Sequence, residues 1–183
     1  MQPNQTYTIA GVSYLNTIPF VYGINQSGLL PDARLQLMVP SACAESLRQG
    51  RSQIALVPVG ALPKLHPYHI ISNYCIGAEG NVRTVLLLSN VPMGQVTRVF
   101  LDGDSNTSVL LARILADKIW NIKPQWQPVS EIPDNLQPTD ALVAIGDKTF
   151  NLQKRFRHVT DLAGEWMKMT GLPFVFAVWV TRV

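Results

Sequence analysis

The sequence predicts an α/β protein of two lobes built alike, strands alternating with helices. Three observations carry that prediction. Short β-forming apolar runs alternate with amphipathic runs along all 183 residues. The run Ile54-Ala55-Leu56-Val57-Pro58-Val59 is apolar throughout, the mark of a parallel strand covered on both faces. A strand, a polar turn and a helix start occur together twice, at residues 7–24 and again at 98–115.

Taken in order, Tyr7 to Val12 is β-rich, and Ser13-Tyr14-Leu15-Asn16-Thr17 forms a polar turn ahead of Pro19, a residue suited to the first turn of a helix. Arg34 to Val39 alternates as a strand. Pro40-Ser41 then opens a helix that stops near Gly50, with Ser41 as the proposed cap. Tyr68 to Ile76 and Val82 to Ser89 read as strands, and proline and polar residues at Ser89-Asn90-Val91-Pro92 mark a crossing. The lobes are therefore expected at 1–89 and 90–173, with 174–183 a strand returning to the first lobe.

In the second lobe, Arg98 to Asp102 is a strand, and Gly103 to Ser108 leads into an apolar-periodic helix over Val109 to Leu115. Pro124 to Val129 is extended, and Ser130 to Thr139, holding Pro133 and Pro138, is a surface connection. Ala141 to Ile145 is a buried strand entering Gly146-Asp147, followed by a helix from Lys148 toward Arg155. Asp161 caps a helix over Leu162 to Met169 that stops at Gly171, and Phe174 to Val180 finishes the chain as a strand.

Composition narrows the function. With 47% hydrophobic and 15% charged residues the chain folds rather than staying disordered. No apolar run reaches the roughly 18 residues of a membrane span, and Met1 to Gln5 has neither the basic start nor the apolar stretch of a secretory signal, which predicts a cytoplasmic protein. The net charge of +3 comes from scattered Lys and Arg with no basic stripe, so a small anionic ligand is expected and nucleic acid is not. Cys43 and Cys75 are too few for a metal site or disulfide framework and are expected to be buried structural thiols.

No phosphate-binding loop, dinucleotide fingerprint or metal-ligand histidine pair is present, so no cofactor and no metal are expected. His66, His69 and His158 lack visible orienting partners and read as surface or packing residues. What remains is a set of hydroxyl and amide groups at strand ends: Ser13, Asn16, Thr17, Ser41, Thr84, Ser105, Thr107 and Ser108. Singly, each is a cap or turn former. Jointly, across two facing lobes, they would offer neutral donors and helix amino ends to the carboxylates of a small acid. Arg83, beside Thr84, either pairs with a ligand carboxylate or covers the surface.

The stretches Val12 to Thr17, Ala55 to Val59, Val82 to Val85, Thr107-Ser108, Ile145 to Asp147 and Gly171 to Trp179 together resemble chorismate dehydratase of the futalosine route to menaquinone, in order over nearly the whole chain. The resemblance implies a two-lobed fold like the type II periplasmic binding proteins, with mixed sheets, flanking helices and a central cleft, used for an enzyme that removes water from chorismate to give 3-[(1-carboxyvinyl)oxy]benzoate. It implies that Asn16 and Thr84 hold the reacting edge. Ser13, Thr17, Ser41, Arg83, Ser105, Thr107 and Ser108 would then bind the substrate, whose own enolpyruvyl carboxylate takes the proton. Gln53 and Asn81 depart from the family pattern, which also continues with further helices beyond the position of Trp179. A non-catalytic small-acid binding protein of the same fold is the alternative. The related dihydroxynaphthoate synthase is disfavoured, because its expected histidine-serine-proline opening is absent.

Overall fold

The computed structural model describes residues 6–28, 30–103, 106–133 and 135–183, and of Asp102 the backbone. The chain divides into two compact units. One runs up to Ile76 and resumes at Val175–Val183, and the other is Gly77–Phe174. Each is built on its own five-stranded mixed sheet.

In the first unit, β1 (Tyr7–Val12) runs parallel to β2 (Ala33–Met38) on one side and β3 (Ile54–Pro58) on the other. The sheet order is β2-β1-β3-β10-β4, with β10 (Phe174–Arg182) antiparallel to β3 and β4 (Tyr68–Ala78) at the edge. The last strand thus returns to the first sheet, as expected. Ala55, Leu56 and Val57 are wholly buried, as an apolar run with neighbours on both sides and both faces requires. Helices α1 (Ile18–Gln26) and α2 (Pro40–Arg48) complete the unit, with Cys43 and Leu47 of α2 in the core and Phe20 of α1 edge-on to Trp179.

The second sheet has the order β7-β6-β8-β5-β9, formed by β5 (Val85–Ser89), β6 (Arg98–Asp102), β7 (Gln125–Val129), β8 (Asp140–Ile145) and β9 (His158–Asp161). β6 is parallel to β7 and β8, while β5 is antiparallel to β8 and β9. Pro128 sits in β7, where an edge position tolerates its missing donor. Helices α3 (Asn106–Leu115), α4 (Thr149–Leu152) and α5 (Leu162–Thr170) follow β6, β8 and β9. A π-helical turn at Ala116–Trp120 prolongs α3 and closes on Asn121 in the left-handed region.

Several expectations need correction. The crossing between units precedes β5 rather than following Ser89, because Leu86, Leu87 and Leu88 are buried in the second sheet between β8 and β9. The strand expected from Val82 begins only at Val85, since Arg83 has φ +65 and breaks the pleat. β9 went unpredicted; its four residues carry no apolar alternation long enough to register. Cys75 is exposed on the edge strand β4, not buried. Among the described residues, no helix is long and apolar enough to cross a membrane.

Candidate functional site

In the first unit the three parallel strands stop together, because Val12 pairs with Met38 and the register of β1 on β3 brings Pro58 to the same edge. Ser13 follows directly, exposed, with its N–H donating to the Met38 carbonyl at 3.0 Å. A 3-10 turn, Leu15–Thr17, then feeds α1 with Pro19 in its first turn. Asn16 lies exposed on this turn. Thr17 is only 1% exposed, and its hydroxyl donates to the Asn16 Oδ1 at 3.4 Å. The sequence therefore places Ser13, Asn16 and Thr17 on one turn at the carboxyl ends of parallel strands, where open α/β sheets hold their ligands.

Ser41 joins this edge, three residues beyond the end of β2, but not as the expected cap. The helix begins at Pro40, its cap position is Val39, and no side chain closes the first turn. Ser41 is half-buried inside the first turn, where the N–H groups of Ala42 and Cys43 donate to the Val39 carbonyl at 3.0 and 3.2 Å.

In the second unit the antiparallel pairing of β5 with β8 sets Val85 opposite Ile145, so Arg83 and Thr84 stand at the edge where β8 ends. The N–H of Gly146 donates to the Thr84 carbonyl at 2.9 Å. The parallel register of β6 on β8 brings the start of α3 to this same edge, and Leu86 opposite Asp161 brings the start of α5. Thr107 and Ser108 are buried in the first turn of α3. Ser105 lies outside the described residues. The amino ends of α3 and α5 thus share one sheet edge with Thr84 and Arg83, a placement that favours anionic groups.

The residue that sequence reasoning undervalued is Asp161. As expected it caps α5, with Oδ1 accepting from the N–H groups of Ala163 and Gly164, each at 3.0 Å. The same carboxylate also accepts from the N–H of Val82 at 3.2 Å and from that of Arg83 at 2.6 Å. A left-handed conformation costs a non-glycine residue about 1–2 kcal/mol, and a hydrogen bond to a charged acceptor contributes about 1.5–3 kcal/mol, so the carboxylate is sufficient to hold Arg83 there. Gly164 lies against the same turn: a Cβ there would come within 2.1 Å of Asn81 Oδ1, so the exposed Asn81 side chain would have to swing aside. Seventy-nine positions separate Val82 from Asp161, and no local pattern announces such a pairing.

Two surface cavities lie away from these turns. One, of about 360 Å³, is lined mainly by apolar residues at the opposite end of β1, including Tyr7, Ile9, Pro31 and Ile54. The other, of about 480 Å³, is bounded by Asn90, Val91, Leu136, Pro138 and Arg157. Neither contains a residue from the predicted set. Among the described residues no group of three or more His, Cys, Asp or Glu side chains could hold a metal ion.

Two units of this construction, each a mixed five-stranded sheet with helices starting at one sheet edge, define the class: an α/β protein with a fold of the periplasmic-binding-protein type. Solved structures bear this out. A protein from Archaeoglobus fulgidus superposes with TM-score 0.70 at 14% identity, covering 96% of this chain and 67% of that one. The alkanesulfonate-binding protein SsuA from Xanthomonas axonopodis pv. citri superposes with TM-score 0.58 at 14% identity, covering 100% of this chain and 66% of that one. The chain belongs to the menaquinone biosynthesis family, which it matches over residues 7–183. It is also similar to the chorismate dehydratase of Thermus thermophilus, at 25% identity over 194 residues, covering 96% of this chain and 70% of that protein.

Proposed function

We propose that this protein is a chorismate dehydratase, a hydro-lyase of the futalosine route acting in the cytoplasm. The observation that carries the reading is the turn at Ser13–Thr17: an exposed amide, its oxygen held by the Thr17 hydroxyl, at the carboxyl ends of three parallel strands in a chain of the menaquinone biosynthesis family. The reaction needs few strong groups. Chorismate loses the proton on the carbon bearing the enolpyruvyl ether and hydroxide from the neighbouring ring carbon, which together leave as water and make the ring aromatic. The carbanion formed first is conjugated through a ring double bond to the ring carboxylate, so donors on that carboxylate stabilise it.

In this reading Asn16 donates through its amide nitrogen and Thr84 through its hydroxyl at the reacting edge. Ser13, Ser41 and Arg83 bind carboxylate oxygens, Thr17 aims Asn16, and Thr107 and Ser108 supply donors from the first turn of α3; Ser105 belongs to the same group. The enolpyruvyl carboxylate of the substrate accepts the proton, which suits a set of residues without a positioned strong base.

The test is Asn16→Ala. Removal of a donor used chiefly in the transition state lowers kcat by about 10²–10³-fold with KM changed far less. Equal losses of binding and turnover would remove Asn16 from the chemistry. If the wild-type protein binds chorismate and leaves it intact, it is instead a small-acid binding protein, a role the likeness to an alkanesulfonate-binding fold makes physically reasonable.

A further inference from the structure

We infer that Asp161 is a positioning residue for the second unit's part of the proposed site. It would fix the Asn81–Thr84 turn through the backbone of Val82 and Arg83, an inference that rests on the chorismate dehydratase reading. The geometry is that of a clamp with two jaws. Oδ1 takes the helix side, accepting from Ala163 and Gly164, and reaches the N–H of Val82 as well. Oδ2 takes the N–H of Arg83 alone, at the shortest of the four distances.

Behind the turn, the N–H of Gly146 holds the Thr84 carbonyl, and the Thr149 hydroxyl lies 2.7 Å from the Gly146 carbonyl and 3.4 Å from that of Arg83. Arg83 and Thr84 are thus gripped from two sides, by α5's cap and by the start of α4. A helix cap alone needs neither the second oxygen nor a partner in a distant segment. Arg83 in the left-handed region, exposed at a sheet edge, has only the Asp161 carboxylate to fix its N–H among the described residues. Side-chain direction at Thr84 follows from the Arg83 backbone angles, so loosening that bond moves the Thr84 hydroxyl before it unfolds anything.

Asp161→Asn separates the two jaws. Asparagine is as good a helix cap as aspartate, and with its oxygen toward Ala163 and Gly164 its NH2 group faces the Arg83 N–H, donor against donor. Asp161→Ser, a good cap too short to span to Arg83, provides the second variant. Hydrogen exchange of single amides by NMR, with kcat and KM on chorismate, reads the outcome. The expected result is faster exchange at Arg83, retained protection at Gly164, and a kcat about 10–100-fold lower that outweighs any rise in KM. If the Arg83 amide is released while kcat stays at the wild-type value, or if kcat falls only as the folded fraction falls, the positioning role is overturned and the proposed function stands. A wild-type protein that does not turn over chorismate overturns the proposed function and this role with it.

Discussion

Arg98 and Asp140, directly opposite on the adjacent parallel strands β6 and β8, form a two-pronged ion pair, with Nε 2.9 Å from Oδ1 and Nη2 2.7 Å from Oδ2. Asp140 is 3% exposed, and its second oxygen also accepts from the N–H of Gln137 at 2.7 Å. Burial works against its ionisation. The hydrogen bonds from Arg98 and Gln137 and the charge of Arg98 outweigh that, holding the carboxyl below the ordinary carboxylate range. The guanidinium also lies over the Phe100 ring, 4.8 Å from its centre.

Asp140→Asn is therefore expected to destabilise the second unit. A fully buried pair broken on one side costs about 3–5 kcal/mol, but Arg98 keeps a third of its side chain in water, so about 1–3 kcal/mol is the expected loss. A shift of the urea midpoint with unchanged slope checks it.

The same pair sets an acid limit. Because the folded-state value of Asp140 lies below its unfolded value, the carboxylate stabilises the fold in full above about pH 4 and loses that contribution as pH falls below it. Urea midpoints for the wild type should decline on acidification through that range, and Asp140→Asn should decline less. Parallel profiles would show that other carboxylates govern the acid limit.

Thiol reactivity should divide the two cysteines. Burial pushes the Cys43 thiol up to about 12, so it carries almost no thiolate near neutral pH. Cys75 is exposed on β4. A chromogenic disulfide reagent should therefore label one thiol per chain in the native protein at pH 8 and two in denaturant. Rapid labelling of both in the native state would contradict the packing of α2 on its sheet.

Arg83→Gly separates the backbone from the side chain. Glycine takes φ +65 without penalty but gives the unfolded chain more freedom, so the net change in stability should stay within about 1 kcal/mol. Loss of the guanidinium should raise KM for chorismate about 10–100-fold if it binds a carboxylate, as expected for a charge-assisted bond. An unchanged KM would assign Arg83 to the surface.

How far the sequence reaches can be read from particular residues. Ile54 to Pro58 declares its burial because a strand covered on both faces needs no polar alternation, and Gly171 declares the end of α5 because φ +70 favours glycine. The turn at Ser13–Thr17 is equally legible, since strand, polar turn and helix-starting proline are contiguous. Long-range features are not. The true crossing before β5 depends on which sheet Leu86–Leu88 joins, the brief strand β9 exists only through its pairing with β5, and the strand break at Arg83 depends on a carboxylate 78 positions away. Val39 at the cap of α2, where Ser41 was expected, shows a helix start set by Pro40 and by the end of β2 rather than by a capping side chain.

The central claim is tested most directly by mixing the purified protein with chorismate and following aromatic ultraviolet absorbance, with mass spectrometry of the product. The reading predicts an aromatic compound lighter than chorismate by one water, formed by the wild type and nearly abolished by Asn16→Ala. Chorismate recovered unchanged, or an aromatic product formed equally by the wild type and Asn16→Ala, would contradict it.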